Sequence, residues 1–166
     1  MIKYKKIDIQ YKDDLLQLIE TVLNGLKRKE FFMPFTDEDI EEMFDNNKTI
    51  VFGAFDNDKL VGTAQLYLQQ DCVENIKNEI DLNNDRVAEL GGYLVLEEYR
   101  NKGIMKELES ILIKEAKRIK YEYLIITVHP DNIPSNKVTE SIGAKIVKTV
   151  YLGEYLRNIY LLKLVV

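Results

Sequence analysis

Cysteine occurs once in this chain, at Cys72, and histidine once, at His129. A single thiol excludes an internal disulfide framework and any multi-cysteine metal site. No histidine lies near Cys72 in sequence, so it reads as a bystander rather than a nucleophile, and no metal is expected. No apolar run approaches the roughly 20 residues that span a bilayer. Met1-Ile2-Lys3-Tyr4 leads straight into alternating residues, not into a signal peptide. Basic residues are outnumbered, and the formal net charge is −5. That balance argues against a general nucleic-acid binder, which needs a basic face. These absences together fit a soluble cytoplasmic protein with neither nucleic acid nor membrane as partner. Two nucleotide-binding signatures are also missing: the G-x-x-x-x-G-K-[ST] loop and the spaced glycines of G-x-G-x-x-G.

What is present is an apolar share of 46% over 166 residues, enough for the core of one domain, 1–166. Residues 2–9 alternate as a strand. Leu15, Leu18, Ile19, Val22, Leu23 and Leu26 form a helical stripe over about 12–28. Thr36-Asp37-Glu38-Asp39 reads as a capped helix start, with Ile40, Met43 and Phe44 as its apolar face. Thr49 to Phe55 and Leu60 to Leu68 are strands joined by the turn Asp56-Asn57-Asp58-Lys59. Residues 71–85 are a polar insertion, with Val73, Ile76 and Ile80 at the spacing of a short helix. Val87 to Leu96 and Tyr123 to Val128 read as strands. Met105, Leu108, Ile111, Leu112, Ala116 and Ile119 mark a helix between them. A short helix over 133–142, capped by Asn132, and strands over 145–152 and 157–165 complete the chain. With the insertion set aside, the order is βααβββαβαββ: an α/β fold (α+β mixed sheet), mostly antiparallel. The unit around 90–128 must be parallel, with a right-handed crossover.

Between the strand ending at Leu96 and the helix beginning near Met105 lies Arg100-Asn101-Lys102-Gly103-Ile104-Met105. A basic, glycine-bearing turn at a helix N-terminus suits phosphate. First-turn N–H groups have no intrahelical acceptor, the helix dipole is positive there, and Arg100, Lys102 and Lys106 add charge. This turn resembles the [RQ]-x-x-G-x-[GA] pyrophosphate loop of the GCN5-related N-acetyltransferases (GNAT family). Arg100 and Gly103 match, and Met105 replaces the usual small residue. A second block, Asn132 to Gly143, is similar to the family's N-x-x-S-x-x-[LV]-x-E-x-x-G, with Asn132, Ser135, Val138, Glu140 and Gly143 in register. The resemblance runs from about Ala88 to the C-terminus and is architectural before that.

The resemblance implies the acyl-CoA N-acyltransferase fold, in which the parallel strand pair splays apart. It implies acetyl-CoA as co-substrate and a small-molecule or peptide amine as acceptor, in a monomer or homodimer. Leu94, Val95 and Leu96 would offer backbone to the pantetheine arm. Arg100, Asn101, Lys102, Gly103, Ile104, Met105 and Lys106 would hold the pyrophosphate, with Asn132 and Ser135 near the thioester. Glu89 would be the catalytic base, on a strand whose alternation puts Glu89, Gly91, Tyr93 and Val95 on one face. The tyrosine that serves as general acid in many family members is replaced by Thr139, leaving Tyr93, Tyr151, Tyr155 or His129 as alternatives. Phe31, Phe32, Met33, Pro34 and Phe35, with the acids from Asp37 to Glu42, would wall and rim the acceptor site. The plainer reading is core packing and helix capping. Two other readings stay open: an acetyl-CoA-binding sensory module without turnover, and a phosphate- or nucleotide-binding βαβ protein.

Overall fold

The computed structural model describes residues 1–165. It contains seven strands and five helices in the order β1 (Ile2–Lys6), α1 (Lys12–Gly25), α2 (Asp37–Glu42), β2 (Thr49–Asp56), β3 (Lys59–Tyr67), α3 (Asp71–Glu79), β4 (Val87–Val95), α4 (Ile104–Arg118), β5 (Tyr123–Val128), α5 (Ile133–Ser141), β6 (Lys145–Leu152) and β7 (Tyr155–Lys163). The strands form one sheet in the order β1-β2-β3-β4-β5-β7-β6. Only β4 and β5 run parallel. The helix expected within the insertion is α3. No helix among the described residues is long and apolar enough to cross a membrane.

Among the boundaries that differ from the sequence reading, three have a clear local reason. The first strand stops at Lys6, because the Asp8 side chain accepts from the Gln10 amide and starts a 3-10 turn over Ile9–Tyr11. Helix α1 stops at Gly25 rather than residue 28. Lys29 Nζ folds back onto the carbonyl oxygens of Leu23 and Asn24 at 2.7 and 3.2 Å, satisfying acceptors that the helix end leaves free. The final strand begins at Tyr155 rather than residue 157, since Gly153, at φ +63°, makes a tight hairpin turn and Leu152 pairs with Tyr155.

Strand β3 is buried along most of its length, whichever way its side chains point. Both of its faces are therefore covered, as an interior strand requires. On one face Ile104, the first residue of α4, packs over Gly62, where a Cβ would come within 3.2 Å of its side chain. Leu108, Leu112 and Ala116 continue that seam at 0% exposure, which is the stripe that the helical spacing implied. The α1 residues Leu15, Leu18, Ile19 and Val22 join the same core.

Strand β4 carries the main irregularity. Gln65 pairs with Gly91, but Thr63 pairs with Leu94, so β4 holds an extra residue there. That is a β-bulge, and Gly92 takes φ +64° within it. The simple alternation expected from Glu89 to Val95 therefore breaks at Gly92. A Cβ at Gly92 would lie 2.9 Å from the Tyr67 hydroxyl and 3.0 Å from the Gln65 side chain.

Gly92→Ala is thus expected to destabilise the protein by about 1–3 kcal/mol, from positive-φ strain and crowding. The denaturant midpoint should fall with an unchanged slope. A midpoint equal to that of the parent would show that the bulge tolerates a side chain.

Candidate active site

Strands β4 and β5 pair only through Val87↔Tyr123, Ala88↔Leu124 and Glu89↔Ile125. Beyond Glu89 the strands part, leaving the β5-facing edge of β4 without a partner strand. A cleft of about 290 Å³ opens there, and its lining includes Glu89, Tyr93, Met105, His129, Asn132 and Ser135. Residues remote in sequence are thereby brought to one place.

Glu89 sits at the fork and is buried, at 9% exposure. Burial raises its carboxyl to about 7, with the Cys72 thiol pulling the other way. Desolvation penalises the charged form, so the group titrates near neutrality. Cys72 lies on the cleft rim. Its thiol is raised by burial and by Glu89, the opposite of nucleophilic activation.

Behind the cleft lies a second acid that the sequence reading missed. Glu109, on α4, is fully buried, and its Oε1 accepts a hydrogen bond from the Tyr93 hydroxyl at 2.7 Å. Its other oxygen has no partner. Burial raises Glu109 to about 7, and the Tyr93 bond opposes the rise. The only sequence signal was an acidic residue beside Leu108 on the apolar stripe.

The turn after β4 has unusual backbone. Asn101 and Gly103 both take positive φ, at 62° and 77°. Gly103 occupies the N-cap position of α4 without any side-chain cap. The amides from Asn101 to Lys106 find no acceptor among the described residues. A run of unpaired N–H groups at a helix N-terminus makes an anion-binding concavity. Arg100, Asn101, Lys102 and Lys106 are exposed around it, while Ile104 is buried as its anchor. A Cβ at Gly103 would meet nothing within 4 Å, so the space outside it is open.

The neighbouring backbone is only partly free. The Leu96 amide donates to Val61 O at 2.9 Å and its carbonyl accepts from Tyr99 N at 2.9 Å. The Val95 carbonyl accepts from Arg100 Nε at 3.3 Å. The Leu94 and Leu96 side chains point into the core. Leu94 pairs toward β3 and has no strand on its other side.

Asn132 caps α5 through Oδ1, which accepts from the Ser135 amide at 3.5 Å. Thr139 spends its hydroxyl on the Ser135 carbonyl at 2.8 Å and is fully buried, so it presents no proton donor to the cleft. Tyr93 does line the cleft. His129 accepts the Asp131 amide at Nδ1 and stacks obliquely on Phe31 with ring centroids 4.9 Å apart.

The segment between α1 and α2 supplies the opposite wall: Phe31, Phe32, Met33, Pro34 and Phe35 all line the cleft. Of the expected acidic rim, only Asp39 does so. Asp39 is engaged in a capping box, accepting from the Thr36 amide at 2.8 Å, and Glu42 pairs with Lys48 at 3.0 Å. The acids thus serve mainly the helix start and its flank.

The comparisons agree with this geometry. The family model described as "Acetyltransferase (GNAT) family" matches residues 19–144. The chain belongs to that family and is an acyltransferase, and acetyl-CoA is the family's co-substrate. No curated protein matches. Among solved structures, an N-acetyltransferase from Staphylococcus aureus Mu50 is similar at 22% identity and TM-score 0.75, covering 99% of this chain and 98% of that one. An acetyltransferase of the GNAT family from Streptococcus pneumoniae matches at 16% identity and TM-score 0.75, over 99% of both chains. The ribosomal-protein-S18-alanine N-acetyltransferase from Escherichia coli matches at 14% and TM-score 0.73, over 100% of this chain and 96% of that one. At such identities the likeness is one of fold, and it agrees with the mixed sheet and its single parallel pair.

The Glu109 carboxyl makes a stability prediction with a definite sign. Its folded value near 7 exceeds the ordinary 4.5. The protein therefore enjoys full stability from this group below the ordinary value, and loses it as pH rises through about 7. Glu109→Gln should gain on the parent between about pH 4.5 and 7 and level off above that, by on the order of 3 kcal/mol at most. A stability difference independent of pH would mean that Glu109 does not titrate in this range.

Proposed function

We propose that this chain is a single-domain cytoplasmic N-acetyltransferase, passing an acetyl group from acetyl-CoA to a primary amine in a ternary complex. The observation that carries the reading is Glu89: a buried carboxyl near neutrality, at the fork of the parallel strands, facing the cleft.

The chain's residues fit both ends of such a reaction. The unpaired amides of Asn101 to Lys106 suit a pyrophosphate, with Arg100 and Lys102 adding charge at the rim. The open edge of β4 past Glu89 suits the amide groups of an extended pantetheine arm, by the same bonding that adds a strand to a sheet. Asn132 and Ser135 flank the point where that arm would end.

An amine reaches the site protonated and cannot attack in that form. Glu89, with its raised carboxyl, is the base that takes the proton, directly or through one water. The neutral nitrogen then attacks the thioester carbonyl, backbone N–H groups on the splayed β4 stabilise the charge that develops on oxygen, and the nitrogen gives up its second proton to solvent as the C–S bond breaks. The departing CoA thiol, with a pKa near 8.5 like a cysteine, needs little help to leave. Tyr93, whose hydroxyl donates to Glu109, is the relay we assign to return a proton to it, refilled by Glu109 in its protonated form, in place of the tyrosine that Thr139 replaces.

Two variants test the reading. Gly103→Pro cannot hold φ +77° and removes an amide, so acetyl-CoA binding by calorimetry should be crippled in a protein that still folds. Normal affinity would remove the turn from the binding site. Glu89→Gln should leave acetyl-CoA affinity nearly unchanged and lower turnover by roughly 10²–10⁴-fold. In the parent, kcat/KM should rise with pH and level off above about 7, and the variant should lack that limb. Thiol release over an amine panel gives both readouts, and a variant as active as the parent at every pH would exclude Glu89 as the base.

A further inference from the structure

The cleft contains a buried cation with no carboxylate in direct contact with it among the described residues. Arg157, on β7, is 3% exposed and lines the cleft on the side of Phe31 and His129. Its Nη1 donates to the carbonyl of its own neighbour, Leu156, at 2.7 Å. Among the described residues it forms no ion pair. The carboxylate whose field reaches it, Glu30, is paired with Arg28 Nε instead. The guanidinium lies 5.4 Å from the Tyr155 ring, which softens its isolation without cancelling its charge.

Such an arrangement is hard to explain as packing. Arginine does not deprotonate to escape burial, as lysine does. Taking a charge out of water without a partner is costly. Arginine also presents five N–H donors in a fork that matches a carboxylate, and here most of them have no acceptor. A group held this way is completed by an anion that arrives.

We infer that Arg157 is a specificity-determining residue which holds a carboxylate on the acceptor, so that the substrate is an amino acid-like molecule carrying both an amine and a carboxylate. This rests on the acetyl-transfer reading above and narrows its acceptor. The anion belongs to the acceptor, not to acetyl-CoA. The phosphate-type concavity is at Asn101 to Lys106, outside the cleft apart from Met105, which lines it. Arg157 instead shares the cleft with the aromatic wall. Charge across the cleft fits a zwitterion: Arg157 for the carboxylate, with Glu89 and Asp39 for the ammonium. A zwitterion also approaches a chain of net charge −5 without the repulsion that a simple anion meets.

The test is thiol release from acetyl-CoA over matched triplets: free amino acids, their carboxamides and the corresponding decarboxylated amines. The carboxylate member should be preferred by about 10- to 100-fold in kcat/KM, the size of a charge-assisted pair. Arg157→Gln should remove most of that preference, chiefly through KM, while the amide and amine members change by less than about threefold. Arg157→Lys, which keeps the charge but loses the fork, should fall between. Equal turnover of the three members by the parent overturns the inference, as does an Arg157→Gln protein that keeps the preference. Product binding decides without turnover or any variant. In the presence of CoA, the parent should bind N-acetylamino acids at least tenfold more tightly than their N-acetyl carboxamides, and equal affinities overturn the inference. Carboxylate-dependent product binding with no thiol release from any amine would uphold the Arg157 site and sink the Glu89 base instead.

Discussion

The parting of β4 from β5 after Glu89↔Ile125 is the constraint on which the rest of the molecule depends. A sheet interior normally closes every backbone group against a neighbour. Here one strand keeps its antiparallel partner, β3, and gives up its parallel one. The bulge at Gly92 adds twist where the strands separate. The open edge, the cleft and the approach to the α4 N-terminus all follow from that divergence. Glu89 owes its position to being the last paired residue: it is anchored by the ladder on one side and meets the cleft on the other.

The cleft is also where the protein tolerates charges it would exclude elsewhere. Glu89 and Glu109 are both raised to about 7 by burial, so near neutral pH each shares its time between acid and anion. Arg157 cannot adjust in this way. One adaptable acid, Glu89, and one fixed cation line a cavity bounded by aromatic rings, with the second acid, Glu109, behind it. Electrostatic interactions in such a space are stronger than in water. The whole is a preorganised environment, held by a frame whose stability comes from the apolar seam between α4 and β3.

Much of this was legible in the sequence, and the reasons are physical. The α4 stripe, the β5 run and the capping box at Thr36 are local patterns, and local patterns survive into the structure. The paired glycine-turn and asparagine–serine blocks identified the family. The missed features are those in which a tertiary partner decides. Lys29 ends α1 by reaching back to its carbonyls, and the Gly92 bulge depends on what β3 places opposite. Glu109 carries no local mark of its role, which comes from the Tyr93 hydroxyl that a distant strand places against it. Arg157 had a faint signal, a charge within the apolar run of the last strand. The acidic stretch from Asp37 to Glu42 was legible as a rim or as a helix start, and side-chain geometry favours the helix start.

Asn136 joins the parts of this frame. Its Nδ2 donates to the carbonyls of His129 and Asn132, at 3.0 and 2.8 Å. Its Oδ1 accepts from Asn158 and Tyr160, at 3.1 and 2.7 Å. One buried amide thus rivets the loop leading into α5 to the strand that carries Arg157. The aromatic wall between α1 and α2 has no such rivet. Its polar tie to that loop is the surface ion pair of Arg28 with Asp131, a kind of contact worth little in water. A hydrogen-bonded frame therefore faces a wall held chiefly by apolar contacts, Phe32 and Phe35 on the core and Phe31 on His129. Apolar contacts ask for bulk rather than direction, so residues of that wall can be swapped for others of similar volume while the hydrogen-bonded machinery opposite keeps its alignment.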